Sequence, residues 1–322
     1  MRDTSNIIFN KLIGVKYIIS KNILGYGYSQ IEDNVYQNNY ALSLGYASSN
    51  IYSIDKFNEV GYPYNLKYLL NGIIVENSYS NDTEDIIEIY NFDLIEKIIN
   101  SVPFDKTNNA YLLEFDSEET LEIPLDSVLT DKLLFITIEG LESNSCQYDD
   151  LKITINGEEN SLSCDEWLYH NQNYAFNYLI NERDLSSLKI TIGQGIYKIT
   201  DIKMYIMDQR YLETNFDEMY NVRINDNEIT GNINIEKEGY MVLSLPYDEN
   251  FDIYLDDVKV PYEKVNTAFL GFKINSGNHL IKISYHAKGL LLGKILSIFG
   301  LLLFVVYMTI LLKRNKNFVK MK

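Results

Sequence analysis

The chain reads as a mainly β protein. It has a small α/β N-terminal region, a β-sandwich of jelly-roll or immunoglobulin-like type, a second membrane-proximal β domain and one C-terminal transmembrane helix. Three observations predict this. Short runs of alternating apolar and polar residues follow one another from about position 110 to 285, separated by turn chemistry. Twenty-seven tyrosines and abundant isoleucine supply aromatic and β-branched side chains, which suit a half-buried pleated surface. The run ILSIFGLLLFVVYMTILL, Ile295 to Leu312, carries no charge at all.

The elements follow in chain order, and the expected units are 1–105, 106–208, 209–288, the span 289–312 and a basic tail 313–322. Asp3 or Ser5 is placed to cap a short helix through Lys11, and Val15 to Ile19 has strand composition. VYQNNYALSLGYASSNIYSI, beginning at Val35, predicts a hairpin with tyrosines on alternating positions. From Asp82 to Val102 the apolar residues Ile86, Ile87, Tyr90, Leu94, Ile95 and Ile98 keep helical spacing. Asp82 and Asp85 then lie at the helix start, and Pro103 ends it.

Seven short strands between about Ala110 and Met207 predict the sandwich, with Asn156-Gly157 as a hairpin turn because both residues tolerate φ > 0. DQRYLETNFDEMYN reads as a short connecting helix. Strands from about Tyr220 to Tyr285 form the second β unit, with a tight turn at Asp256-Asp257.

Eighteen apolar residues make a helix of about 27 Å, and the preceding residues from Gly289 extend it enough to cross a hydrocarbon layer of about 30 Å. Lys313, Arg314, Lys316, Lys320 and Lys322 follow directly, so the remainder is even more acidic than the net −17 of the whole chain. Basic residues beside a span stay cytoplasmic, which places the acidic bulk outside a bacterial cell membrane. The N-terminus has no clean basic region, continuous apolar stretch or cleavage site of a signal peptide. The expectation is therefore a chain delivered by upstream spans, the C-terminal part of a split, truncated or partial multi-span protein. The competing expectation is a cytoplasmic tail-anchored scaffold.

Chemistry-bearing residues are sparse. Net −17 argues against nucleic acid as a partner. His170, His279 and His286 are scattered without metal-ligand spacing, and no nucleophile elbow or phosphate loop is present, so no catalytic residue, metal or cofactor is expected. The acidic group Asp248, Glu249, Asp252, Asp256 and Asp257 lacks the spacing of a calcium loop and reads as solvated turns. Cys146 and Cys164 stand eighteen positions apart on either side of the Asn156-Gly157 turn. A disulfide there would contribute roughly 3 kcal/mol in the loop-entropy model, and two buried thiols are the alternative. The single tryptophan, Trp167, lies with Tyr169 beside Asp165 and Glu166. Aromatic faces next to carboxylates form a platform for a sugar ring; packing of Trp167 into the sheet edge is the plainer reading.

Several ordered motifs resemble one family. Leu243-Ser244-Leu245-Pro246-Tyr247, then Ala268-Phe269-Leu270-Gly271, then Gly277-Asn278-His279-Leu280 ahead of the span resemble the C-terminal end of the YfhO family of bacterial membrane proteins. Upstream, Leu12 to Ile19 and Val35 to Leu42 resemble that family's segment after its membrane core. Two turns depart from the pattern, at Asp257 and at Ser43. The resemblance implies a C-type glycosyltransferase architecture, in which a sugar passes from a polyprenyl-phosphate carrier to an extracytoplasmic acceptor such as a teichoic-acid-type polymer. Its catalytic acid belongs to earlier spans, so none is carried onto this chain. The expected function is a non-catalytic part in cell-envelope polymer glycosylation that positions the acceptor or braces the catalytic core. Its expected partners are the membrane, a separately encoded multi-span part and a cell-envelope glycan. The alternative is an independent cell-surface carbohydrate- or envelope-binding module.

Overall fold

The structure is a computed structural model that describes residues 6–21, 24–76, 82–107, 110–142 and 150–319. It is mainly β, with antiparallel sheets throughout except for one parallel pair, Ile51–Ser53 beside Ile73–Val75. The first helix is Ile7–Leu12, and the Asn6 side chain caps it by accepting from the Phe9 amide at 2.9 Å. Asp3 and Ser5, expected as caps, lie outside the described residues. Strand Val35–Asn38 runs between Tyr17–Ile19 and Tyr28–Glu32.

The tyrosine-rich stretch from Val35 is not a hairpin. Its pieces enter three different sheets: Val35–Asn38 stays local, Gly45–Ser48 pairs with Gly239–Pro246, and Ile51–Ser53 pairs with Ile73–Val75. Alternation makes each piece extended, but it does not say which edge each will join. The helix expected from Asp82 to Val102 is also shorter. Ile87–Ile89 is a strand against Tyr205–Met207, and only Leu94–Ile99 is helical, capped by Asp93 on the Glu96 amide at 2.9 Å. Asp82 and Asp85 pair with Lys67 instead of capping. The connecting helix at 209 reduces to one 3-10 turn, Gln209–Leu212, capped by Asp208.

Two four-stranded sheets and one three-stranded sheet share the central core. The first orders Glu119–Thr130, Asp184–Ile192, Leu151–Ile155 and Glu158–Leu162; the second orders Phe176–Ile180, Lys132–Glu139, Asp201–Asp208 and Ile87–Ile89. Leu113, Ile123, Ile136, Phe176, Tyr178, Ile190 and Tyr197 meet in one buried cluster. Asn156 and Gly157 turn the chain at φ 48° and 89°, as the hairpin requires.

Strand Lys132–Glu139 is buried from Leu133 to Ile138, because it serves two cores. Leu134, Ile136 and Ile138 join the central cluster. Leu133 and Phe135 join a second cluster with Ile7, Ile8, Tyr46 and Leu70 from the N-terminal region. A continuous apolar run such as KLLFITI is the pattern of a strand covered on both faces.

The membrane-proximal part has two five-stranded sheets around Ile233, Met241, Ile253, Phe272 and Ile281. Gly45–Ser48 lies between Asp217–Glu218 and Gly239–Pro246 in one of them. A Cβ on Gly239 would sit 2.1 Å from the Ser48 carbonyl oxygen, so glycine permits this close approach. Asp256 and Asp257 turn at φ 50° and 64° between Phe251–Leu255 and Val258–Lys259. Strand Gly277–Tyr285 leads into the helix Leu290–Val319. Within it Leu290–Leu312 has a mean hydropathy of 2.7 and no buried residue, so it is long and apolar enough to cross a membrane. Division of the chain at 105 and 208 stays a proposal, and the pairings of two strands, Gly45–Ser48 and Ile87–Ile89, reach across it.

Candidate functional site

The aromatic loop projects from the end of strand Glu158–Leu162. Trp167 is 55% exposed, Leu168 84% and Tyr169 89%, so these side chains do not pack into the sheet edge. The loop is nevertheless built. The Trp167 amide donates to the Cys164 carbonyl at 3.2 Å, His170 Nδ1 lies 3.2 Å from the Trp167 carbonyl, and Gln172 meets His170 Nε2 at 3.0 Å. Asn171 anchors the return: its Nδ2 donates to the Ser161 carbonyl and its Oδ1 accepts from the Ser163 amide. Asp165 and Glu166 are exposed at the base, and Asp165 accepts from the Tyr174 hydroxyl at 3.3 Å. The four residues singled out for sugar binding therefore lie together on one exposed loop.

Cys164 is buried and its thiol is not free. Cys146 lies outside the described residues, and pairing of the two is a proposal. With pairing, the full chain purified without reductant carries no alkylatable thiol after denaturation and two after dithiothreitol, counted by intact mass. Two thiols before reduction would sink it.

The histidines stay apart. His279 Nδ1 lies 2.7 Å from Asp256 Oδ2 and its Nε2 lies 3.1 Å from the Asn275 carbonyl; His286 is 3.5 Å from Asp252. The His279 contact comes first in holding the Asp256 carboxyl below its ordinary range, followed by the Leu280 amide. Among the described residues, no three of His, Cys, Asp and Glu converge as metal ligands do. Asp248 and Asp252 are engaged by neighbours: Asn250 and Tyr285 on the first, Lys259 on the second.

Two buried lysines escaped sequence reasoning. Lys11 is 3% exposed, its Nζ 3.4 Å from the Tyr40 carbonyl, and burial pushes its ammonium down to about 8. Lys67 is 5% exposed and held by Asp82 and Asp85 at 3.1 and 2.7 Å. The available signal was position, since both lie within apolar helical runs, IIFNKL and LKYLL.

Residues 3–297 match the sequence pattern of the family described as bacterial membrane protein YfhO. The chain belongs to the YfhO family. A relative, the uncharacterized protein YfhO of Bacillus subtilis (strain 168), is 24% identical over 125 residues, which is 37% of this chain and 14% of that protein. The aligned part thus spans about one-seventh of that YfhO protein's length. Two solved structures are similar at a low level. The conserved protein of unknown function PA5104 from Pseudomonas aeruginosa PAO1 has 10% identity, covers 62% of this chain and 91% of its own, and has a TM-score of 0.18. HutD from Pseudomonas fluorescens SBW25 has 10% identity, 62% and 100% coverage, and a TM-score of 0.13. Neither carries an argument about this YfhO family chain. Family membership makes it a membrane protein, and Leu290–Leu312 is its candidate span among the described residues.

Proposed function

We propose that this YfhO family chain is the extracytoplasmic, non-catalytic part of a glycosyltransferase acting in cell-envelope polymer glycosylation. It positions the acceptor, or braces a multi-span membrane core. The observation that carries this reading is the short path from sheet to span. Strand Gly277–Tyr285 ends five positions before the helix that starts at Leu290, a tether that would keep the second β unit close to a membrane crossed by that helix. The basic residues after Leu312 support an inward tail and an outward β region.

Two measurements test it. Protease added to intact protoplasts is expected to digest the β region; protection would place it in the cytoplasm. Deleting the gene is expected to remove sugar substituents from an envelope polymer, read by monosaccharide analysis of the purified polymer. An unchanged sugar content would sink the glycosylation reading.

A second reading, an independent carbohydrate-binding module, is favoured by the exposure of Trp167 and Tyr169 above Asp165 and Glu166. Under it, Trp167→Ala weakens adsorption of the full chain to purified envelope glycan while leaving its thermal midpoint in place. Unchanged adsorption would remove it.

A further inference from the structure

The edge of the central sheet opens into a second, distinct aromatic surface. Strand Asp201–Asp208 is paired along its whole length by Lys132–Glu139 on one side. On the other side, Ile87–Ile89 covers only Tyr205–Met207, and the Tyr90 amide donates to the Met204 carbonyl. The chain then turns away at Phe92 and enters helix Leu94–Ile99. A cleft of about 780 Å³ is left, lined by Tyr64, Tyr90, Asn91, Asp93, Tyr111 and Asp201 among others. That volume lies within the range of small-ligand sites.

Rings, aliphatic side chains and hydrogen-bonding groups share the lining. Tyr90 and Phe92 stack at 5.9 Å with an interplanar angle of 11°, and Tyr64 meets Tyr205 edge-on at 5.3 Å. Tyr111, half-buried, lies against Phe104 at 6.0 Å, and the Lys106 ammonium stands over the ring at 4.9 Å and donates to its hydroxyl at 3.3 Å. Asn91, Asp93 and Asp201 are exposed on the rim. Lys203 is already engaged: both Glu139 oxygens lie within 3.0 Å of its Nζ, and Asp201 stands at 3.8 Å. The cleft rim is thus left net negative.

These features choose among ligands. A purely apolar occupant would strip water from Asn91, Asp93 and Asp201 without replacing their hydrogen bonds. Among the described residues, an added peptide strand would find a run of only three residues, Asp201 to Lys203, ahead of the Tyr90–Met204 bond and the Ile87–Ile89 ladder, too short a register for strand addition. A polyanion meets like charge on the rim. An uncharged sugar offers C–H faces to the rings and hydroxyls to the amide and carboxylates.

We propose that this cleft binds an uncharged saccharide chain, with Tyr64 and Tyr111 as stacking faces and Asn91 and Asp201 bonding its hydroxyls. It deepens the acceptor-positioning reading, on which it rests for its biological setting alone. It also narrows the acceptor to a neutral glycan portion, as distinct from a phosphate backbone.

The test is an array of neutral and phosphate-bearing glycans probed with the full chain in lipid nanodiscs, followed by calorimetry on the neutral glycan bound best. Tyr111→Ala and Asp201→Asn are each expected to weaken binding about tenfold, the loss of roughly one stacking contact or one hydrogen bond to a charged group. Tyr111→Phe, which keeps the ring, retains binding, and poly(glycerol phosphate) does not compete. Tyr111→Phe and Asp201→Asn keep the outcome readable if Tyr111→Ala unfolds. Absence of any neutral glycan on the array overturns the proposal, as do binding insensitive to Asp201→Asn, competition by poly(glycerol phosphate), or capture of an extended peptide at the same residues. If gene deletion strips the polymer of sugar while no neutral glycan binds, the cleft falls and the bracing role stands. If glycans bind through Tyr111 while the polymer is unchanged, the cleft stands and the glycosylation reading falls.

Discussion

Asn266→Ala is expected to lower the unfolding free energy by about 3 kcal/mol, the sum of a stranded buried amide and an unfavourable backbone conformation. Asn266 is 4% exposed. Its Oδ1 accepts from the Ile74 amide at 2.8 Å, and its Nδ2 donates to the Tyr46 hydroxyl at 3.1 Å. Its own amide donates to the Ile74 carbonyl at 2.9 Å. One side chain therefore joins three stretches of chain separated by 192 and 220 positions. Alanine leaves the Ile74 N–H in an apolar surround with no water to replace the carboxamide. Asn266 also holds φ at 46°, a conformation that asparagine tolerates better than alanine. Denaturant titration of the full chain checks the figure, and a loss below about 0.5 kcal/mol would mean the site relaxes or admits water.

Replacing both Asp82 and Asp85 by alanine is expected to cost about 3 kcal/mol, whereas Lys67→Met stays within about 1 kcal/mol of the parent. The asymmetry follows from burial. The Lys67 side chain is 6% exposed, while those of Asp82 and Asp85 are 55% and 77% exposed. Without its carboxylates the ammonium keeps the Thr83 carbonyl at 3.2 Å and the face of Tyr68 at 5.2 Å, neither of which neutralises it. Without the lysine, the carboxylates simply rehydrate. Equal losses from the two sets of substitutions would show that the lysine reaches water.

The same cluster sets an acid limit. The Tyr68 hydroxyl first, and Lys67 second, hold the Asp82 carboxyl down at about 2 against an ordinary 3.8. A carboxyl depressed in the folded state contributes stability in full above its unfolded value, and loses it as pH falls through the folded value. Thermal midpoints are expected to drop between about pH 4 and pH 2, and this part of the drop disappears in Asp82→Ala. A parent-like acid profile in that variant would contradict the assignment.

Short-range signals were read correctly where the chemistry is local. Asn156-Gly157 and Asp256-Asp257 turn as expected, because left-handed φ values are decided within two residues. The errors cluster where partners are distant. Ile86 and Ile87 keep helical spacing with Leu94, Ile95 and Ile98, yet the first pair belongs to an extended segment whose strand joins Tyr205–Met207. Nothing within that segment announces the partner strand more than a hundred positions away. Asp82 and Asp85 look like helix caps until Lys67 is brought beside them.

The candidate sites divide in the same way. Trp167, Tyr169, Asp165 and Glu166 stand out as a group in the sequence because one loop carries them, and their role in binding sugar is a proposal. Tyr64, Asn91, Tyr111 and Asp201 were not, since they come from four separate stretches that only the sheet edge assembles.

By itself, the sequence determined the mainly β class, the long apolar C-terminal helix and the family, because alternation, a charge-free run and ordered motifs are properties of contiguous residues. Tertiary structure alone decided that Gly45–Ser48 completes a sheet with Gly239–Pro246 and that Lys132–Glu139 lies between two cores. It also decided that the edge of Asp201–Asp208 is left open beside Tyr90. Strand pairing is a competition among distant edges for backbone hydrogen bonds and shared apolar area. Its outcome belongs to the whole chain at once, and no local stretch contains it.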